Sequence, residues 1–282
     1  MPSPLEEEVI TPQLLRRWAL PDPGSDKLSR GTVLVVGGSQ FNPGAVLLAG
    51  VAALRAGAGR LQLVVADESA VPLSIAVPEA RVLGLPAGDS DPPAEVFELA
   101  RDADVIAIGP GLDDIGQTTE LMRSVLAAAG TDTAVVLDAY ALGALSKEPG
   151  LLRQRRAVLT PNVTEAAHLL GRDPGDDLAR AARELADRYQ AVVSLFGHIA
   201  DPDGSAWREE SGDAGLGTSG SGDARAGIVA GLLGRGAEPA QAACWGAYAH
   251  AVSGQRLTPR YGRTGFLARE LVDEVAYTIA TV

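Results

Sequence analysis

The amino-acid sequence predicts an α/β fold in which helices cover both faces of an open and mostly parallel central sheet. Short apolar runs alternate along the chain with longer stretches of helical pattern, as expected of repeated strand–helix units. The apolar runs are hydrophobic at almost every position, which is typical of parallel strands buried on both faces. Right-handed crossovers would join these strands into one sheet.

The individual elements follow in order from these patterns. The clearest helix covers residues 43–59, where proline opens the segment and glycines close it. A hairpin is expected at 199–207, turning at Asp203 and Gly204, and the chain after Asp223 has a helical pattern to its end. The predicted strands, each followed by a helical or turn segment, cover residues 32–38, 61–67, 104–111, 134–139, 157–162 and 191–197.

Glycine and polar residues stand at the carboxyl ends of five of these strands. They occupy positions 37–39, 109–111, 138, 160–162 and 197. Ligands bind beyond the carboxyl ends of the strands in open parallel sheets. We therefore expect these five strand ends to point their small and polar groups toward one binding site.

Composition excludes several classes of partner and site. Lys and Arg total 24 against 36 Asp and Glu, a formal net charge of -12, so nucleic acid and anionic membrane surfaces are unfavourable partners. The one cysteine, Cys244, cannot form an internal disulfide. His168, His198 and His250 lack the spacing of metal ligands, so no residue is assigned to a metal.

The chain is expected to form one domain over residues 1–282, with residues 1–28 as an N-terminal extension or helix. Its start lacks the pattern of an export signal, and no apolar run reaches the ~20 residues of a membrane helix. We therefore expect a cytoplasmic protein. The two lysines, Lys27 and Lys147, lie outside glycine-rich turns, which excludes a Walker-type phosphate loop.

The stretch "GTSGSGDARAGIVAGLL", residues 217–233, places a glycine-rich turn at the start of a helical run. Bare backbone amides at a helix N-terminus bind anions, and a side chain at Gly222 is expected to fill that space and strain the turn. Asp223 has two interpretations. It is either a helix cap, worth about 0.5–2 kcal/mol, or a carboxylate that accepts the proton of a hydroxyl attacking a bound phosphate.

The turn also resembles a known signature. Residues 219–223, followed by "ARAGIVAGLL", are similar to the Gly-x-Gly-Asp motif of the ribokinase-like fold. From about residue 31 to the end, the chain resembles the ADP-dependent NAD(P)H-hydrate dehydratases in the order and spacing of its motifs. These motifs are "GGSQFNPGAVLLAGVAALRAGAG", "AIGPGL", "VVLDAYAL", "LTPNVTEAAHLLG" and "GLGTSGSGD".

This resemblance implies the repair of nicotinamide cofactors whose ring has taken up water. ADP, together with Mg²⁺, would phosphorylate the ring hydroxyl of hydrated NADH or NADPH. Loss of phosphate would then restore the double bond and leave AMP. The resemblance also implies a homo-oligomer, expected to be a tetramer.

The same resemblance implies roles for individual residues. Asp223 would be the catalytic base and would also contact the hydrated ring. Ala45, Gly111 and Asn162 would bind the hydrated substrate. The nucleotide would be bound by Phe196, Gly197, His198, Ile199, Ala200, Gly220, Ser221 and Gly222.

Several positions depart from the family pattern. Asn162 stands where the family has a histidine, Thr164 and Ser219 replace glycines, and Tyr140 fills a position that is usually small or acidic. Asn162 can donate a hydrogen bond but carries no charge. Phe196 replaces a lysine and cannot pair with phosphate, so ADP binding is expected to be weaker by roughly one to two powers of ten.

Three functions remain open at this point, since a fold does not fix a substrate. The first is the cofactor-repair dehydratase, which leaves AMP from ADP. The second is a ribokinase-like small-molecule kinase, which would use ATP and release ADP. The third is a nucleotide-binding homologue that no longer catalyses, which would bind ADP without turnover.

Overall fold

One sheet forms the centre of the molecule. The computed structural model of the protein describes residues 7–22, 26, 29–87 and 91–282. Within these residues the strands are β1 (Glu8–Val9), β2 (Thr32–Val36), β3 (Arg60–Ala66), β4 (Ala80–Leu85), β5 (Val105–Ile108), β6 (Ala134–Leu137), β7 (Ala157–Leu159), β8 (Val192–Leu195), β9 (His198–Ala200) and β10 (Ala206–Arg208). Their order across the sheet is β1-β10-β9-β8-β7-β6-β5-β2-β3-β4. Neighbouring strands are parallel, apart from the antiparallel pairs β8–β9 and β9–β10.

Helices lie on both faces of this sheet. In chain order they are α1 (Pro12–Arg17), α2 (Pro43–Ala56), α3 (Asp67–Ala76), α4 (Ala94–Asp102), α5 (Ile115–Ala128), α6 (Tyr140–Lys147), α7 (Val163–Leu170), α8 (Leu178–Tyr189), α9 (Ser221–Gly234), α10 (Pro239–Tyr261) and α11 (Ala268–Ala280). Helices α2, α9, α10 and α11 pack together in one layer, and α4 to α8 follow one another in a second. The expected α/β fold, with a mostly parallel sheet between helices, is confirmed.

The apolar strands contribute side chains to two separate hydrophobic cores, one on each face of the sheet. In β2, Val33 and Val35 face the layer that contains α2 and α9. Their neighbours Leu34 and Val36 face the other layer, and all four side chains are fully buried. A strand that is buried on both faces has no polar side, which is why its sequence is apolar throughout.

Each of the six strands expected from the sequence is present; β3 is shifted by one residue toward the N-terminus, and the other five end earlier than expected. Strand β4 was not expected, and helix α3 was expected only as an unassigned helical or turn segment after β3. Strand β4 lies at the edge of the sheet and is only part-buried, so its sequence "ARVLGL" lacks the continuous apolar character of the inner strands. Helix α3 contains Pro72 and exposes Val71 and Ile75, so its pattern does not identify a buried face.

The expected hairpin and the helical C-terminal part are confirmed. Strands β9 and β10 pair across a turn that contains Gly204, and α9, α10 and α11 follow Gly220. Of the expected N-terminal extension, β1 pairs with β10 and α1 begins after its N-cap Thr11. The positions 1–6, 23–25, 27 and 28 lie outside the described residues. No described helix is both long and apolar enough to cross a membrane.

Candidate functional site

Five strand ends meet at one edge of the sheet. Strands β2, β5, β6, β7 and β8 are consecutive parallel neighbours, so the residues that follow them share that edge. The strand order reverses at β2, because the chain builds outward through β3 and β4 before it returns to β5 on the other side. Ligands bind at such switch points in open α/β sheets. The five strand ends therefore share one edge of the sheet, as expected, while their convergence on one binding site stays a prediction.

The glycine-rich turn brings the start of α9 to this region. Helix α9 contacts β5 and β6 and begins at Ser221, with Gly220 as its N-cap at φ 84°. A Cβ at Gly220 would overlap with the Leu48 side chain. Gly222 lies inside the helix at an ordinary φ, and a Cβ there would have no atom within 4 Å. The expectation of strain at Gly222 is therefore wrong, because the left-handed position is Gly220; the space beside Gly222 is open.

The Asp223 carboxylate lies in the first turn of α9 but does not cap it. Gly220 is the N-cap, and no side-chain hydrogen bond closes this end of the helix. Asp223 is half-buried, and its carboxylate accepts no hydrogen bond from the described part of the chain. The helix-cap interpretation is therefore wrong, and the carboxylate is available to a ligand.

Burial raises the pKa of Asp223 to about 7 from an ordinary value of 3.8. Loss of hydration is the largest cause, and the negative charges of Asp138 and Glu165 add to it. Burial also raises the pKa of both of those neighbours. A carboxylate with a pKa near 7 suits a general base at neutral pH, since it is both ionised and basic there.

A buried group of charged side chains lies near Asp223. Asp138 follows β6, is 5% exposed, and accepts a 2.7 Å hydrogen bond from Thr160 Oγ1. The Arg225 guanidinium, on α9, donates to the carbonyl oxygen of Thr160 at 2.5 Å and attracts both Asp138 and Glu165. Two carboxylates therefore share one guanidinium, and their remaining negative charge adds to the burial that raises the pKa of Asp223.

Asn162 and Glu165 form the N-terminal cap of α7. Asn162 Oδ1 accepts a 2.9 Å hydrogen bond from the Glu165 backbone N–H, and Glu165 Oε2 accepts one of the same length from the Asn162 N–H. This reciprocal pair is a capping box. It occupies the side-chain oxygen of Asn162 and leaves the side-chain amide hydrogens available to a ligand.

Ala45 and Gly111 lie side by side. Gly111 has φ 73°, and a Cβ there would overlap with the Asn42 carbonyl oxygen and stand 3.0 Å from Ala45 Cβ. The Ser39 N–H donates to the Gly111 carbonyl oxygen at 2.8 Å. The structure therefore brings these two residues together at the junction of β2 and β5. Their role in binding substrate stays a prediction.

Phe196 and Gly197 form the two-residue turn between β8 and β9. Their φ angles are 48° and 88°, the pattern of a type I′ hairpin turn. An aromatic residue is rare in the left-handed region, and the Phe196 side chain is also 72% exposed. Phe196 is therefore not a core residue, and its ring is open to a ligand.

The rest of the expected nucleotide segment lies in β9. His198 Nδ1 lies 2.9 Å from Glu7 Oε1, so the N-terminal segment contacts this strand. Ile199 and Ala200 are 0% and 1% exposed, so their side chains cannot touch a ligand. A nucleotide could meet these two residues only through their backbone.

His250 supports the first residue of α9 from behind. Its Nε2 lies 2.7 Å from Ser221 Oγ and 3.0 Å from the Ser221 carbonyl oxygen. His250 is 8% exposed, and burial lowers its pKa to about 3, so the ring is neutral at neutral pH. This contact joins α10 to the glycine-rich turn.

A cavity of about 650 Å³ lies at the same edge, at the switch point between β2 and β5. We call it the switch-point cavity; residues 37–41, 85–87 and 112–114 line it at the ends of β2, β4 and β5, together with the first half of α5. Gly38 borders both this cavity and the Ala45–Gly111 pair, since its Cα lies 3.2 Å from the Cβ position of Gly111. Its volume is in the range of small-molecule sites.

Comparison with known proteins decides the family. The sequence model of the NAD(P)H-hydrate dehydratases matches residues 33–276, which is well over half of the chain. The chain belongs to this family. A curated member from Xanthomonas campestris pv. campestris, an ADP-dependent (S)-NAD(P)H-hydrate dehydratase, is 43% identical over 94% of this chain and 94% of its own length.

Two further proteins named as NAD(P)H-hydrate repair enzymes or dehydratases are also similar to this chain. The bifunctional NAD(P)H-hydrate repair enzyme Nnr of Moorella thermoacetica is 36% identical over 88% of this chain, which spans about half, 49%, of that relative's length. The crystal structure of the ADP/ATP-dependent NAD(P)H-hydrate dehydratase of Bacillus subtilis, co-crystallised with ATP/Mg²⁺, has a TM-score of 0.85 at 29% identity. The match covers 99% of each chain.

Three residues near the candidate site of this chain have no role assigned to them from the sequence. Arg225 and Glu165 carry no motif by themselves, although Glu165 stands three residues after Asn162, the spacing of a capping box. No role is predicted for His250 from the sequence, because nothing in it indicates that α10 passes behind Ser221. Contacts between distant segments define the positions of His250 and Arg225, whereas Glu165 contacts Asn162, three residues away.

Proposed function

We propose that this protein catalyses the ADP-dependent dehydration of (S)-hydrated NADH or NADPH, with release of AMP and phosphate. The activity is that of its named relatives. The observation that carries the proposal is the Asp223 carboxylate, which is half-buried, bears a pKa near 7 and adjoins an uncapped helix N-terminus. A base beside an anion site is what phosphoryl transfer to a hydroxyl requires.

Asp223 acts as the base in this proposal. Its carboxylate takes the proton of the ring hydroxyl as that oxygen attacks the terminal phosphorus of ADP. The bond between that phosphorus and the bridging oxygen breaks, and AMP leaves. The ring then expels the new phosphate and loses a proton from the adjacent carbon, which restores the double bond.

The nucleotide phosphates would lie on the backbone amides of Gly220, Ser221 and Gly222. The open space beside Gly222 supports this position, since a phosphate can approach the backbone there without displacing a side chain. The dipole of α9 adds to the attraction. The exposed Phe196 ring would stack on the adenine, in place of the charge that a lysine would supply.

The hydrated ring would lie between Asp223 and the Ala45–Gly111 pair. Small side chains at both positions leave room for a flat ring close to the backbone. Asn162 would donate a hydrogen bond from its free amide group, since its oxygen already caps α7. The residue therefore combines a capping role with the proposed substrate contact.

Mg²⁺ fits this site as an ion held mainly by the nucleotide. No group of three or more His, Cys, Asp or Glu side chains in the described residues is arranged as a metal site. Mg²⁺ commonly binds one or two carboxylates, with water and phosphate oxygens completing its shell. Asp138 and Glu165, whose pKa values burial raises, would serve as those carboxylates, and the ion would neutralise charge on the transferred phosphoryl group.

A product analysis tests the proposal against the kinase alternative. Purified protein with hydrated NADH and ADP should yield NADH, phosphate and AMP in equal amounts. A small-molecule kinase would instead need ATP and would release ADP. Binding of ADP with no AMP formed would favour the non-catalytic homologue and would overturn the proposal. A homo-oligomer, expected to be a tetramer, and a cytoplasmic location stay predictions.

A further inference from the structure

The switch-point cavity adjoins the Ala45–Gly111 pair of the proposed ring site. Gly38 borders both the cavity and the Ala45–Gly111 pair. A hydrated dinucleotide with its ring at Asp223 must place its adenosine half some distance away. The cavity, of about 650 Å³, offers the space at the switch point where such sheets bind nucleotides.

The cavity is lined by acidic side chains. Carboxylates come from Glu68, Asp91, Asp113, Asp114 and Glu120, and no Lys or Arg is among the described lining residues. Two of the five are already occupied. Asp114 caps α5 by accepting from the Gln117 N–H at 2.8 Å, and Glu120 pairs with Arg123 outside the lining.

The other three carboxylates have no such partner in the described part of the chain. Glu68, Asp91 and Asp113 come from three different segments, yet they face one cavity. A second feature also indicates a ligand here. Ser39 lines the cavity, and its hydroxyl oxygen is buried with no hydrogen-bond partner among the described residues, which is costly unless a ligand or water completes it.

We infer, resting on the proposed function, that this cavity binds the adenosine half of the substrate and selects the hydrated form of NADH over that of NADPH. The two forms differ by a phosphate on the 2′-oxygen of the adenosine ribose. A free 2′-hydroxyl can donate to a carboxylate, as it does in NAD-binding sites. A 2′-phosphate would meet like charges and no cation among the described residues that line the cavity.

The test compares the two hydrated substrates under saturating ADP. The expected kcat/KM for hydrated NADH exceeds that for hydrated NADPH by on the order of tenfold, and the ratio falls as salt rises, because the carboxylates are screened. The double variant Glu68→Gln with Asp113→Asn should lower this ratio several-fold. Glu79→Gln is the matched control; Glu79 is exposed and lies just before β4, at the opposite edge of the sheet.

The outcomes separate this inference from the proposed function. Equal kcat/KM for the two forms, or a higher value for hydrated NADPH, would overturn the selectivity. A ratio that the double variant leaves unchanged, or that Glu79→Gln lowers equally, would also overturn it. Turnover of neither form with ADP would instead contradict the proposed function itself.

Discussion

At the scale of single residues, the proposed chemistry depends on the Asp223 carboxylate, whose surroundings disfavour its ionised form. Asp223 sits in the first turn of α9 with no hydrogen bond to its oxygens from the described residues, and Asp138 and Glu165 repel it. The sequence identified Asp223 through its motif. It could not indicate the raised pKa, because that depends on burial and on residues 58 to 85 positions away in the chain.

The raised pKa makes Asp223 a cost to stability above neutral pH. Because its folded pKa, about 7, exceeds the unfolded value of 3.8, the free energy of unfolding falls as pH rises between those values. Asp223→Asn removes this titration. We expect the variant to be more stable than the wild type by up to about 4 kcal/mol near pH 8, and by less near pH 5. Denaturant unfolding of both proteins at both pH values measures this difference. A difference in stability that is the same at pH 8 and at pH 5 would contradict the raised pKa.

The charge of Glu165 should be visible in the pH dependence of catalysis. Glu165→Gln keeps the capping box, because glutamine can accept the same backbone hydrogen bond. It removes a negative charge that raises the pKa of Asp223. The acid limb of kcat/KM should therefore move to lower pH by less than about one unit. If the acid limb of kcat/KM stays at the same pH, whatever the maximal value of kcat/KM, the charge of Glu165 does not influence the pKa of Asp223.

Phe196 should combine a stability cost with a binding role. A bulky residue in the left-handed region costs roughly 1–2 kcal/mol, so Phe196→Gly should raise stability while weakening ADP binding through the lost ring. Phe196→Lys should tighten ADP binding by about ten- to a hundredfold, through a charge-assisted contact. Gln190→Gly, at φ 50° after α8, is the control for backbone relief alone. Isothermal titration with ADP measures the affinity of each variant. Weaker ADP binding by Phe196→Lys than by the wild type would argue against a phosphate group near residue 196.

At the scale of elements, inner strands were predictable and edge elements were not. Strands such as β2 and β5 are apolar throughout because both faces are covered, and this pattern is visible in the sequence. Strand β4 has neighbours on one side only, and α3 carries a proline and an exposed apolar pair. Their patterns therefore lack the signal of a buried face. The close packing of α9 on α2 was also not evident from the sequence alone.

Two glycines of α9 make that close packing possible. A Cβ at Gly227 or Gly231 would overlap with the carbonyl oxygens of Ala49 and Ala53 on α2. We expect Gly231→Ala to destabilise the protein by about 1–3 kcal/mol, since two backbones must separate. Gly222→Ala, where the space is open, should leave stability unchanged or raise it by up to about 1 kcal/mol, yet weaken ADP binding. Similar losses of stability in Gly231→Ala and Gly222→Ala would contradict the close packing at Gly231 and the open space at Gly222.

At the scale of the whole molecule, one sheet joins the proposed nucleotide, ring and adenosine sites along a single edge. The sequence predicted that edge, because each strand end carries its own glycine or polar residue. It did not predict the switch-point cavity, which is assembled from the ends of β2, β4 and β5 and from α5. That residues 1–282 form a single domain stays a prediction, which the continuous sheet from β1 to β10 supports.

The most direct test of the proposed function follows nicotinamide absorbance when purified protein is mixed with hydrated NADH and ADP. We predict recovery of the absorbance, formation of one AMP for each NADH, and a loss of about 10²–10⁴ in rate for Asp223→Asn with the fold intact. Absence of recovery in the wild type, or a near-normal rate in Asp223→Asn, would contradict the assignment of Asp223 as the base of a cofactor-repair dehydratase.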